Sequence, residues 1–110
     1  MNKIYKYPLP IKEKHIIELP KNAQIIRIDD VDGMAYLWAI VDPEAPMVQR
    51  HLEFYKTGQP ITTPMRSLFY LGFFKIFIMQ ELCLYVFENL NPELCNDITE
   101  NSQSKSELTK

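Results

Sequence analysis

Glycine and cysteine are scarce in this sequence, and each shortage excludes a common kind of site. The three glycines, at positions 33, 58 and 72, lie too far apart for a phosphate-binding loop or a dinucleotide-binding turn. The cysteines, Cys83 and Cys95, are fewer than a disulfide scaffold of this size usually carries, and no Cys/His cluster has metal-ligand spacing. We therefore expect two free thiols, no metal site and no cofactor.

The sequence also lacks a surplus of positive charge and a long apolar run. Its formal net charge is -2, which argues against general nucleic-acid binding because such binding needs a basic face. The most apolar segment, Leu68 to Met79, is interrupted by Lys75 and is shorter than the roughly 20 residues that span a bilayer. We read it as a buried strand pair. The N-terminal residues lack the apolar stretch of a signal peptide, so we expect a cytoplasmic protein without a membrane partner.

No motif of nucleophilic catalysis is present, and we expect no enzyme activity. The two histidines, His15 and His51, do not accompany a nucleophile motif. His51 and Glu53 share one side of a predicted strand, as either an acid–base pair or a solvated strand face, and we favour the solvated face. The aspartates within residues 29–32 surround a predicted turn and lack the glycine and glutamate spacing of a calcium loop.

What the sequence does contain is a series of short β-prone segments that are separated by prolines and turn residues. They are Ile4–Leu9, His15–Leu19, Gln24–Val31, Met34–Val41, Val48–Tyr55, Leu68–Phe77 and Leu82–Glu88. Strands at a spacing of about 8–12 residues are typical of small antiparallel sandwiches and barrels. We therefore predict a mainly β domain of six to seven strands over residues 1–90, followed by a disordered polar tail over residues 91–110.

The dipeptide Asp32-Gly33 favours a type I′ turn between the third and fourth segments, which pairs Val31 with Met34. The pairs predicted for one face are Asp29–Tyr36, Arg27–Trp38 and Ile25–Ile40. The core positions predicted for the other face are Ile26, Ile28, Leu37, Ala39 and Val41. The connection around residues 79–81 contains no turn-forming glycine or asparagine. A helical turn is therefore an alternative to a tight hairpin turn there.

Aromatic and basic residues offer a candidate ligand site, because flat rings stack on bases and arginine binds phosphate at two points. Thr57 and Gly58 add a hydroxyl group and accessible backbone N–H groups. The candidate ligand-binding residues are Arg27, Tyr36, Trp38, Arg50, Tyr55, Thr57 and Gly58. The alternative is ordinary packing, with Arg27 stacked on Trp38 for stability. Arg50 is unusual, since it falls on the apolar side of its predicted strand.

The segment LWAIVDPEAP, from Leu37 to Pro46, resembles a block in a family of small phage and prophage proteins with a domain of unknown function. Other segments that resemble this family are Ile4–Leu9, Ile17–Pro20, the loop Tyr55–Pro60, Tyr70–Phe73 and Val86–Glu88. The resemblance covers residues 4–88, and the chain departs from the pattern after Phe74. It supplies no catalytic residues, and it implies a protein that a phage expresses in the host cytoplasm.

The resemblance and the missing catalytic groups lead us to expect a non-enzymatic antagonist of bacterial antiviral defence that binds and sequesters a nucleotide immune signal. Two other functions stay open. One is a protein–protein inhibitor that binds a host defence protein directly, through an edge strand or through Leu68 to Met79 if that run is exposed. The other is a phage structural or accessory module. The expected partners are therefore a nucleotide-like ligand or a host defence protein, and a homo-oligomer is compatible with the lightly charged C-terminal strands.

Overall fold

The structure is a computed structural model that describes residues 1–92, and over these residues it contains seven β-strands and one short 3₁₀ helix. The strands are β1 (Lys3–Leu9), β2 (Lys14–Pro20), β3 (Gln24–Val31), β4 (Met34–Val41), β5 (Met47–Lys56), β6 (Leu68–Ile78) and β7 (Gln80–Asn89). The 3₁₀ helix, Met65–Ser67, precedes β6. Cys83 is a free thiol, whereas Cys95 and the predicted tail from residue 93 onward lie outside the described residues.

The strands form two antiparallel sheets, so the prediction of a mainly β antiparallel fold is confirmed. A three-stranded sheet has the order β1-β4-β3, and a four-stranded sheet has the order β2-β5-β7-β6. Apolar residues on the inward faces of the two sheets pack against each other as a sandwich, to which β1 contributes mainly Leu9. The most fully buried of the large core side chains are Leu19, Leu37, Val41, Leu52, Phe74 and Val86.

The two sheets approach most closely where the edge strands β3 and β6 run side by side. Each of these strands has a bulge, between Ile25 and Arg27 in β3 and between Tyr70 and Gly72 in β6. Gly72 has a φ of 150°, and a Cβ at this position would come within 3.2 Å of the Cβ of Ile28. The absence of a side chain at Gly72 therefore permits the close approach of the two sheets.

The β3–β4 hairpin has the predicted turn, since residues 32 and 33 have φ angles of 53° and 82°. The predicted pairs Asp29–Tyr36 and Arg27–Trp38 are confirmed. The third predicted pair is wrong, because the β3 bulge places Ile25 opposite Ala39 and packs it against the core. Ile26 was predicted in the core, but the bulge leaves it 44% exposed. A bulge adds one residue to one strand, so the alternation of sides changes at that point.

The hairpin of β6 and β7 also differs from the sequence-based expectation. The two strands pair up to Ile78 and Gln80, so that Met79 alone connects them, with a positive φ of 63°. The helical turn is not formed. The run from Leu68 to Met79 is also not buried as a whole, because only the side that carries Phe74 and Ile76 reaches the core. The interpretation of this run as a buried strand pair is therefore wrong, since it forms the single strand β6 with one side exposed.

Candidate functional site

The seven predicted ligand-binding residues lie at four separate places in the fold. Arg27, Tyr36 and Trp38 share the outer face of the three-stranded sheet, Arg50 lies between the sheets, Tyr55 lies on the outer side of the four-stranded sheet, and Thr57 and Gly58 border a cleft. The structure thus brings together the first three and the last two. It does not gather all seven into one pocket.

On the outer face of the three-stranded sheet, each cation lies over a ring. The Arg27 guanidinium carbon is 4.4 Å from the centre of the Trp38 ring, and the Lys6 Nζ is 4.5 Å from the centre of the Tyr36 ring. Arg27 also donates a hydrogen bond to Asp29 at 2.6 Å, and this bond holds the pKa of the Asp29 carboxyl below its usual value. The stacking of Arg27 on Trp38, given above as the packing alternative, is therefore present.

Arg50 makes a two-point ion pair with Glu88 near the edge of the core. Its Nε and Nη2 donate to the two Glu88 carboxylate oxygens at 2.5 and 2.8 Å, and its Nη1 donates to the Ala23 carbonyl at 2.9 Å. The hydrogen bond to Glu88 raises the pKa of Arg50 against the opposing effect of burial. This pairing accounts for a charge on the apolar side of β5. A phosphate would have to displace Glu88 to reach the same groups.

Tyr55 belongs to a hydrogen-bonded cluster around a buried carboxylate. Glu53 is 3% exposed, and it accepts hydrogen bonds from the Tyr55 hydroxyl at 2.5 Å, the Thr63 hydroxyl at 2.8 Å and the Asn89 amide at 2.9 Å. The interpretation of Glu53 as part of a solvated strand face is wrong, because the loop after β5 brings Thr63 over this side of the sheet. Nothing in the local sequence signals that contact.

Thr57 and Gly58 border a cavity that we call the end cleft. It is open to solvent at one end of the sandwich and has a volume of about 690 Å³, within the range of about 300–1,000 Å³ that is usual for small-ligand sites. Its lining residues are Ile11, Lys12, Glu13, Phe54, Lys56, Thr57, Gly58, Gln59, Leu82 and Leu84. Two of the seven predicted residues thus lie where a small molecule has space to bind.

The end cleft joins an apolar part to a charged part. Its apolar lining comes from the core side of β5 and β7, where Phe54 and Leu84 are buried. Its charged lining consists of two lysines and one glutamate, which are Lys12, Lys56 and Glu13. The positive charges therefore exceed the negative charge by one, in a protein whose overall net charge is -2. Sequence reasoning missed both lysines, because the chain separates them and only the fold places them on one cleft.

Backbone hydrogen bonds hold both walls of the end cleft. The Gln59 N–H donates to the Lys56 carbonyl at 3.1 Å, and the Gln59 side chain accepts from the Lys56 N–H at 2.9 Å. These bonds close a turn in which Gly58 adopts a φ of 86°, a conformation that glycine allows at little cost. On the other wall, the Phe54 N–H donates to the Glu13 carbonyl at 2.9 Å. The cleft is therefore largely formed before any ligand binds.

Two further observations concern the described part of the chain. Within residues 1–92, no three His, Cys, Asp or Glu side chains are grouped so that they could hold a metal ion. The same residues include no helix of the length and apolar character needed to cross a membrane.

A comparison with protein-family models finds one that matches residues 1–94, with the description "Domain of unknown function (DUF7352)". No curated protein and no solved structure matched the chain.

Proposed function

Since the chain belongs to the DUF7352 family, whose description states no activity, we propose a function from the geometry of the end cleft. The protein is a non-enzymatic binding protein that holds a small, nucleotide-like anion there. One observation carries this proposal: the same cleft combines an apolar lining, two lysines and a glycine turn. A nucleotide has the matching parts, because its base is flat and apolar on both faces and its phosphate is anionic.

Each part of the ligand has a counterpart in the cleft. The base packs against Ile11 and Leu82, the more accessible apolar residues of the lining, above the buried Phe54 and Leu84. The phosphate lies near Lys12 and Lys56, because ammonium groups bind phosphate as point charges. The backbone N–H groups of the turn at residues 57–58 supply further donors, as glycine lets the backbone approach a ligand closely.

The biological setting is part of the proposal and rests on the resemblance to phage proteins described above. Binding without turnover removes a ligand from solution, so a phage protein of this kind would antagonise a defence system that signals through nucleotides. Direct inhibition of a host defence protein and a structural role in the virion stay predictions from the sequence.

The proposal is tested first by heat release and mass spectrometry of small molecules, after purification from bacteria with an active nucleotide-signalling defence system. We expect a nucleotide in stoichiometric amount. The released nucleotide is then titrated into the protein by calorimetry.

Variants of the cleft lysines decide whether that nucleotide occupies the end cleft. Lys12→Met and Lys56→Met should each weaken binding about tenfold or more, since a hydrogen bond to a charged group contributes about 1.5–3 kcal/mol. Lys21→Met is the matched control, because it removes the same charge outside the residues that line the cleft. Unchanged affinity in both cleft variants, or equal weakening in all three variants, would contradict the assignment.

A further inference from the structure

The outer side of the four-stranded sheet exposes a continuous set of rings, which we call the aromatic face. Its members are Tyr70, Phe73 and Phe77 from β6 and Tyr85 and Phe87 from β7. Tyr70, Phe73 and Phe77 are 50%, 47% and 77% exposed. The ring centres of Tyr70 and Phe87 are 5.3 Å apart, and those of Phe73 and Tyr85 are 6.0 Å apart. Soluble monomers rarely expose an apolar patch larger than a few hundred Å², so a face of this kind indicates an interaction surface.

The alternation of β6 explains why this surface exists. After the bulge, Phe74 and Ile76 point into the core, so Phe73 and Phe77 must point outward. The loop after β5 contacts the same side of the sheet at Glu53, through Thr63. The aromatic face lies next to this contact, and Tyr70, Phe73 and Phe77 keep about half or more of their surface open to solvent.

We propose that the aromatic face binds a second copy of this chain about a two-fold axis. The charges of the face support this occupant. Among the described residues, the charged side chains on the same side of β6 and β7 as these rings are Lys75 and Glu81, whose Nζ and Oε2 atoms lie 3.6 Å apart. A two-fold axis places a patch against itself, so a patch of one sign would repel its copy. Here, one cation and one anion allow Lys75 of each copy to meet Glu81 of the other.

The area of the face is also sufficient. A whole aromatic side chain buries about 150–250 Å², so the three most exposed rings contribute roughly 350 Å² in each copy. A standard interface buries about 800 Å² in each partner, and somewhat more than half of that area is apolar. The three rings therefore supply most of the apolar centre of such an interface, and the partly buried Tyr85 and Phe87 extend it.

Sedimentation velocity over a range of concentrations tests this proposal. We expect a reversible dimer in the wild-type protein and at least a tenfold higher dissociation constant in Phe77→Ser. Phe69→Ser is the matched control, because Phe69 is also exposed but pairs with Glu88 on the other side of β6. A wild-type protein that stays monomeric at high micromolar concentration would overturn the proposal and leave a host protein as the occupant. Equal weakening by both serine variants would overturn the assignment of the face.

A charge exchange identifies the two-fold arrangement itself. Lys75→Glu makes both charges of the face negative, and Glu81→Lys makes both positive, so each variant alone should dissociate. Mixed in equal amounts, the two variants should form a heterodimer, since the opposite faces attract. Monomers in the mixture, with circular dichroism showing both variants folded, would exclude the proposed pairing. This inference does not depend on the ligand of the end cleft.

Discussion

The Glu53 side chain connects β5 to the loop that follows it and to β7. Three donors converge on it, and it is almost fully buried. In Glu53→Gln the carboxylate becomes a neutral amide, which weakens these three hydrogen bonds and replaces one acceptor oxygen with an N–H₂ donor. We expect the free energy of unfolding to fall by about 1–3 kcal/mol, as is typical when a buried polar group loses its partner. Urea titration measures this value, and the exposed Glu18→Gln should change it by less than about 0.5 kcal/mol.

His15 gives a prediction for the pH dependence of stability. Burial and the neighbouring Lys12 lower the pKa of His15 below its ordinary value. Between the folded pKa and the unfolded value of about 6.5, the unfolded chain binds more protons than the folded chain, so stability falls as the pH falls through this range. Proton NMR of the imidazole ring should give a midpoint below about 6.5. A midpoint at or above that value would contradict the prediction, and His15→Gln should reduce the loss of stability on acidification.

At the scale of strands, the meeting of β3 and β6 depends on Gly72. A methyl group there contacts Ile28 at 3.2 Å and also requires an unfavourable φ of 150°. We expect Gly72→Ala to lower the free energy of unfolding by about 2–3 kcal/mol, because overpacking alone costs about 1–3 kcal/mol. Gly58→Ala separates the two causes, since its Cβ would meet nothing within 4 Å although its φ is 86°. Its expected cost is about 1 kcal/mol. Similar losses in both variants would show that packing at Gly72 contributes nothing.

The strands were predicted from the sequence more accurately than the irregular positions within and between them. Proline and turn residues end strands because of their backbone preferences, so the strand ranges and the Asp32-Gly33 hairpin were predicted closely. The β3 bulge was not, because Ile25 and Ile26 are both apolar and their pattern is the same with or without it. The one-residue connection at Met79 was not predicted either. Its backbone has a positive φ, which methionine rarely adopts, so the residue type gives no sign of a turn.

The candidate site was less predictable than the fold, because its parts come from distant segments. Thr57 and Gly58 were found from local turn chemistry. Their partner Lys12 lies on another loop, and only the antiparallel pairing of β2 with β5 brings it to the same cleft. Arg50 and Glu88 show the same limit, since they come together only through the pairing of β5 with β7, two strands that are not consecutive in the chain. From the sequence alone, an arginine gives no sign of whether its anionic partner is a carboxylate of the same protein or a group of a ligand.

At the scale of the whole molecule, the proposed ligand cleft and the proposed dimer face consist of separate sets of residues. The residues that line the end cleft and those of the aromatic face do not overlap. We therefore expect Phe77→Ser to leave the nucleotide affinity unchanged and Lys56→Met to leave the dimer dissociation constant unchanged. Calorimetry and sedimentation velocity on both variants measure this. If Phe77→Ser changes the nucleotide affinity, or Lys56→Met the dimer dissociation constant, by more than about tenfold (about 1.4 kcal/mol), the two sites are coupled.

The two sites nevertheless share one strand, and this has a consequence for the evolution of the family. Along β7, Leu82 and Leu84 line the end cleft, while Tyr85 and Phe87 belong to the aromatic face. Substitutions at alternate positions can therefore alter one of these two surfaces and leave the other unchanged. An insertion or deletion of one residue exchanges the two sides of the strand and damages both at once. We therefore expect lineages of this domain to tolerate substitutions at Leu82, Tyr85 and Phe87 more readily than any change in the length of β7.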